Sequence, residues 1–216
     1  MPEKAKASLL VYRPVASFVQ NVASRSPAPG GGSVAALAGA LGAALTTMVC
    51  RLTIGKKQYA SVENDLRKIE EYTKDMRDKF LELVDKDSDA FDAVMDAMRL
   101  PDDSTAEKSA KENASREANL RAIQVPLEVM DLAVALLPKT LEVAQKGNVN
   151  SISDAGVAGM MLQSALDGAA MNVRINLPNL YDKSKATELK LRMETLLASG
   201  KKVADEIQQV VLGKLK

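Results

Sequence analysis

The sequence predicts an all-α protein, a bundle of about six helices, two of them very long, in one domain spanning residues 1–216. Three observations carry this. Apolar residues recur at steps of three and four along most of the chain, which is helical spacing. No segment of useful length alternates as a strand does. Aromatic residues make up only 3% of the chain, which suits helices packed closely through small side chains.

Taken in order, Pro14 to Ala23 reads as a short amphipathic helix carrying Val15, Phe18, Val19 and Val22. A Pro/Gly loop, Pro27 to Gly32, leads into a helix from Ser33 to Leu52 that Gly55 ends near the C-cap. The segment from Ser26 to Cys50 has no charged residue, and a membrane span needs about 20 predominantly apolar residues. Its helical part is mostly Ala, Gly, Ser and Thr, however, so a helix buried on all sides within a soluble protein is expected. Tyr59 to Met98 carries a regular stripe from Val62 through Leu66, Ile69, Thr73, Met76, Phe80, Val84, Asp87, Phe91 and Val94 to Met98. Pro101 stops it. Ser104 with Glu107 is a capping box opening a helix to Lys146, in which Pro126 and Pro138 are expected to kink or break the rod. After the turn at Gly147–Asn150, Ser151 with Asp154 reads as a second capping box, for a helix to Ile175. A loop holding Pro178 leads to a last helix, Lys183 to Leu212. Long helices in so short a chain leave apolar stripes for a partner to cover, so a homodimer is expected.

Composition excludes several chemistries. Lys+Arg is 29 and Asp+Glu is 28, a net charge of +1. That argues against a dedicated nucleic-acid or acidic-membrane surface, and neither partner is expected. With no histidine and one cysteine, there is no Ser-His-Asp or Cys-His arrangement, no imidazole metal site, no intrachain disulfide and no thiolate cluster. Proton transfer falls to Asp, Glu, Lys, Tyr, Cys50 or water. Near the start, Lys4 and Lys6 precede only Leu9-Leu10-Val11, too short for a signal core of about 7–15 apolar residues. A cytoplasmic location is expected.

Four constellations could carry chemistry. Pro29-Gly30-Gly31-Gly32-Ser33 opens a helix, where backbone N–H groups converge on an anion or a carbonyl oxygen; it reads equally as a plain turn with Ser33 as N-cap. Asp87 sits in the apolar stripe between Val84 and Phe91. Burial there raises a carboxyl pKa toward general acid–base use, unless an Arg or a helix start satisfies it. Asp85 to Asp89 mimics the opening of an EF-hand loop but lacks its Gly and Glu, with Ala90 and Asp96 in those places; calcium binding is rejected. Asp154, Asn172 and Asn176 share a helix face with small neighbours. Asp154 and Asn172 lie about 27 Å apart on a straight helix, so they serve different ends of a ligand, different sites, or a site across a dimer. Arg51, Lys56 and Lys57 bracket Gly55, either to receive ligand carboxylates or as cations set against a helix dipole.

Ser26-Pro27-Ala28-Pro29-Gly30-Gly31-Gly32-Ser33-Val34-Ala35-Ala36-Leu37, followed by Leu52-Thr53-Ile54-Gly55-Lys56-Lys57-Gln58-Tyr59, resembles the cyclodeaminase/cyclohydrolase family of folate enzymes. Further matches follow in family order: Asp87 to Phe91, Leu100-Pro101, Val125-Pro126-Leu127, Gly147-Asn148, Ser153-Asp154 and Asn172-Val173-Arg174-Ile175-Asn176. The resemblance implies an all-α homodimer binding a tetrahydrofolate derivative, with no cofactor beyond that substrate and no metal. It implies catalytic roles for Asp87 and Asp154. Pro29, Gly30, Gly31, Gly32 and Ser33 would line the site with Asn172 and Asn176, and Lys56 and Lys57 would meet the glutamate tail. Arg51 departs from the small or neutral residue expected at its position. In mammals a similar domain follows a formiminotransferase domain; standing alone, this chain is expected to leave the transfer step of histidine degradation to a separate formiminotransferase. Two enzymatic readings follow, formiminotetrahydrofolate cyclodeaminase and methenyltetrahydrofolate cyclohydrolase. A third is a non-catalytic helical dimer, since resemblance of fold does not fix function.

Overall fold

The structure is a computed structural model and describes residues 9–215; Lys4 and Lys6 lie outside them. Six α-helices account for nearly all of it: α1 (Val15–Val22), α2 (Gly31–Thr53), α3 (Glu63–Arg99), α4 (Thr105–Lys146), α5 (Ile152–Asn176) and α6 (Lys183–Lys214). Single 3₁₀ turns fill several connections, and among the described residues there is no strand.

The charge-free helix α2 lies at the centre. It packs most extensively on α3 and α5 and also meets α4, while α6 closes the far side against α4 and α5. Small residues allow this. The ring of Phe80 lies where a side chain on Gly39 would be, and Leu162 crowds Gly42 in the same way. Ala36, Ala43 and Cys50 are fully buried. By length and hydropathy α2 is long and apolar enough to cross a membrane; here it is spent on helix contacts. Two of its buried threonines pair with hydroxyls rather than face carbon: Thr46 with Thr140 at 2.9 Å and Thr47 with Thr73 at 2.8 Å, as buried polar atoms require.

Helices α2 and α5 run antiparallel. Gly31 lies by Asn172, Ala35 by Gly168, and Gly42 by Leu162. At the other end Asn148 ties the start of α5 to the end of α2. Its backbone N–H donates to Thr53 Oγ1 at 2.8 Å and its Nδ2 to Leu52 O at 3.1 Å. Gly55 turns the chain with φ +81°, a conformation suited to glycine.

Three local expectations are corrected. The Ser151–Asp154 capping box does not form; a 3₁₀ turn, Val149–Ser151, precedes α5 and is capped instead by Asn148, whose side chain accepts from Asn150 N. Helix α4 is not broken at Pro126 or Pro138 and runs on for 42 residues, with Val125, Leu127, Leu136 and Leu137 beside the prolines buried in the core. The long third helix starts later than expected, its first turn being the 3₁₀ segment Lys57–Val62. The Ser104–Glu107 capping box is present, with Glu107 N donating to Ser104 Oγ and Ser104 N to Glu107 Oε2.

Candidate active site

The stripe of α3 leaves the core partway along. Leu66, Ile69, Thr73, Met76, Phe80 and Val84 are buried, but Asp87, Phe91 and Val94 are half-buried and Met98 is exposed. These half-buried residues face a cleft of about 330 Å³. Its other walls are the glycine loop with the first turn of α2 (Gly30, Gly31, Gly32), the last turn of α5 (Asn172, Asn176) and Ala122 of α4. Among the lining residues Asp87 is the one ionisable side chain. A wider cleft of about 650 Å³ adjoins it across Pro27, Ala28 and Phe91, and Pro29 lines that one.

Asp87 meets the opening of α2 directly. The Cα of Gly32 leaves room for its carboxyl, which occupies the place of a Cβ on residue 32. The N-cap, Gly30, supplies no side-chain cap, so Asp87 takes that role from α3, receiving the Ser33 backbone N–H and, at 3.0 Å, the Ser33 hydroxyl. Burial pushes the carboxyl pKa up, and these two donors oppose the rise without cancelling it.

Ser33 is fully buried behind the carboxyl. Its one hydroxyl proton has three neighbours: Val84 O at 2.9 Å, Asp87 Oδ2 at 3.0 Å and Ser88 Oγ at 3.2 Å. A hydroxyl donates once and accepts twice. With Asp87 ionised, Ser33 donates to it. With Asp87 protonated, the carboxyl can donate to Ser33, which turns its own proton to Val84 O. The site thus accommodates both protonation states of one acid without moving a backbone atom.

The expected residues divide between two ends of α2. Asp87, Gly30, Gly31, Gly32, Asn172 and Asn176 converge on the cleft. Ser33 belongs to the same cluster but touches the acid rather than open space, and Pro29 is buried beside it. Asp154 stands in the first turn of α5, and Lys56 and Lys57 follow the end of α2, about 33 Å from the glycine loop at 1.5 Å per residue. One chain does not bring them to Asp87. Arg51 is engaged by Glu70 at 2.7 Å. Cys50 leaves the list of proton-transfer groups: burial, then the charge of Glu70, push its thiol up to about 12.

Sequence reasoning missed Ala122 and Ser88. Ala122 had a signal, since Pro126 four residues on cannot donate to its carbonyl. Ser88 had none apart from its place next to Asp87.

Comparison with known proteins places this geometry. The formiminotransferase-cyclodeaminase family model matches residues 14–195. A methenyltetrahydrofolate cyclohydrolase of Methylorubrum extorquens is 40% identical over 201 residues, 93% of this chain and 97% of that protein. The formimidoyltransferase-cyclodeaminase of Sus scrofa is 36% identical over 201 residues, 93% of this chain; the chain spans only 37% of that longer protein. The crystal structure of formiminotetrahydrofolate cyclodeaminase from Thermotoga maritima matches with a TM-score of 0.85 at 28% identity, over 95% of this chain and 98% of that one.

Proposed function

The chain belongs to the formiminotransferase-cyclodeaminase family, and from that premise we propose that it converts 5-formiminotetrahydrofolate to 5,10-methenyltetrahydrofolate with release of ammonia. The observation that carries the reading is Asp87, a carboxyl of raised pKa and the one ionisable side chain on the cleft wall.

One such group suffices. N10 attacks the formimino carbon, and the C–N10 bond forms. The N10 proton passes to the Asp87 carboxylate. The same carboxyl returns it to the amine on the tetrahedral carbon, the bond to that amine breaks, and ammonia leaves. The positive charge of the starting amidinium is retained in the methenyl product, so one proton moves and none is consumed. A carboxyl of raised pKa suits both halves of this transfer, being a better base than an ordinary aspartate and still an acid.

A second reading has its own support. The Methylorubrum extorquens relative matches over nearly its whole length and is named for hydrolysis of the methenyl bridge. There water attacks the methenyl carbon, Asp87 takes a water proton and delivers it to N5 as the C–N5 bond breaks, and a second proton goes to solvent. Both reactions pass through a tetrahedral carbon held by N5 and N10, so one pocket serves either.

The test is the near-ultraviolet absorbance of the methenyl product. A protein-dependent rise on 5-formiminotetrahydrofolate, reduced about 10²–10⁴-fold in Asp87→Asn, supports the cyclodeaminase. No rise above buffer, with accelerated loss of the band from added methenyltetrahydrofolate, supports the cyclohydrolase. Neither activity would leave the non-catalytic dimer.

The same reading assigns a second copy of the chain as partner. Val34, Leu41 and Leu52 of α2 and Val157, Met160, Met171 and Ile175 of α5 are exposed. A two-fold axis crossing the middle of α2 would carry the Asp154, Lys56 and Lys57 end of one copy toward the Asp87 cleft of the other. On this arrangement the two lysines receive the glutamate tail, and Asp154 orients the substrate. A separate formiminotransferase would supply it, in the cytoplasm.

A further inference from the structure

Pro126 has no N–H to give the carbonyl four residues back. That carbonyl belongs to Ala122, on the wall of the cleft. It is answered from another helix: Asn176 Nδ2 donates to Ala122 O at 3.2 Å and to Asn172 O at 2.9 Å. Only the amide nitrogen can donate to two carbonyl oxygens, so chemistry fixes which way the amide faces. Asn172 is fixed alike, its Nδ2 drawn back to Gly168 O at 2.9 Å. Asn176 spends both amide hydrogens and has only Oδ1 left for a ligand, while Asn172 keeps Oδ1 and one N–H; among the described residues no donor reaches either oxygen. The last turn of α5 therefore offers the cleft two acceptor oxygens, with one amide N–H of Asn172 beside them.

Their spacing is informative. Side chains four apart on a helix have Cβ atoms about 5–6 Å apart. An sp² amino group sends its two hydrogens out at about 120°, and with N–H···O bonds of about 2.9 Å the two acceptors stand about 5 Å apart. An exocyclic amino group on a flat ring fits that pair, one hydrogen to each oxygen.

We propose that Asn172 and Asn176 grip the 2-amino group of the pterin, and that Pro126 sets the grip by freeing the Ala122 carbonyl that anchors Asn176. The assignment rests on the folate reading above and adds the part of the ligand the two amides recognise. It also gives an in-helix proline a function: a residue with an N–H at position 126 would compete for the Ala122 carbonyl and loosen the amide.

The experiment uses two stable, non-reacting probes, 5-formyltetrahydrofolate and its analogue with a methyl group in place of the 2-amino group, titrated into the full-length protein by calorimetry. Two hydrogen bonds make the wild type prefer the amino form by about thirtyfold. Asn176→Leu and, independently, Asn172→Leu lower that preference to about fivefold by removing one bond each. Pro126→Ala falls between these and the wild type. Equal binding of the two probes by the wild type overturns the proposal, as do Leu variants that weaken both probes equally, since that is lost packing and not lost recognition. An unchanged preference in Pro126→Ala overturns the part assigned to the proline. Binding of neither probe by the wild type removes the folate reading and the proposal together, whereas binding without preference removes the proposal alone.

Discussion

At the scale of single residues the site depends on how one carboxyl is kept protonatable. Burial raises the Asp87 pKa, and the Ser33 hydroxyl and N–H restrain the rise. Ser33→Ala removes the hydroxyl donor to the charged form, so the pKa moves further up. If Asp87 must be ionised to accept the N10 proton, the acid limb of kcat/KM then shifts to higher pH. Activity on the acid side of the profile falls by up to about tenfold and recovers as pH rises past the shifted limb. A merely structural effect would lower the whole profile without moving the limb. Stability changes in the opposite sense from activity at Asp87 itself. A carboxyl whose folded pKa lies above its unfolded value contributes stability below the unfolded value, near 3.8, and loses it as pH rises through the folded one. Above its folded pKa the ionised, buried Asp87 is therefore a cost to the fold. Asp87→Asn, which keeps an oxygen to accept the Ser33 N–H, should melt at the same temperature or higher while turning over poorly. A lower melting temperature would show that the helix-capping role outweighs desolvation.

At the scale of elements, α2 holds the site because its small residues let α3 and α5 close on it. Gly39→Ala pushes a methyl into the buried ring of Phe80, which has no space to turn. The expected cost is about 1–3 kcal/mol, or about 2–4 °C of melting temperature per kcal/mol in a protein of this size. Gly213→Ala, with nothing near it, is the matched control and should be neutral or slightly stabilising, because alanine is the better helix former. The contrast also marks what the sequence made legible. Helices and their order follow from periodicity and caps, which are local, and Asp87 stood out because it broke an apolar stripe. That Gly32 must be bare for Asp87 to approach is a tertiary fact, invisible until α2 and α3 are packed. The carbonyl freed by Pro126 is local knowledge, but the amide that answers it lies 54 residues away. The Ser151–Asp154 cap failed because the pattern carries no information about the Asn148 turn before it, and Asn148 is itself held by Thr53 and Leu52 across the bundle.

At the scale of the whole molecule, the residues the family resemblance groups together stand at opposite ends of a helix about 33 Å long. The chain carries the acid and the amides at one end and Asp154, Lys56 and Lys57 at the other, with exposed apolar side chains between them on α2 and α5. A closed two-fold dimer is the commonest way for one surface to cover itself. About a midpoint of α2, the proposed dimer would exchange the ends, so that each cleft would be completed by the other copy. Leu41, half exposed at 50% near the middle of α2, is the position to break. Leu41→Glu places a charge at the proposed axis and faces it with its own copy, at little cost to a monomer in which the side chain already meets solvent. Sedimentation should show the wild type at twice the mass of one chain and the variant at one. Turnover should fall with the dimer, and the loss should lie mainly in KM if Lys56 and Lys57 of the second copy hold the glutamate tail. Lys56→Ala with Lys57→Ala should raise KM in the same way while leaving the dimer whole. A monomeric Leu41→Glu protein with unchanged kcat and KM would mean that each cleft works alone, and that Asp154 and the two lysines belong to the surface and not to the reaction.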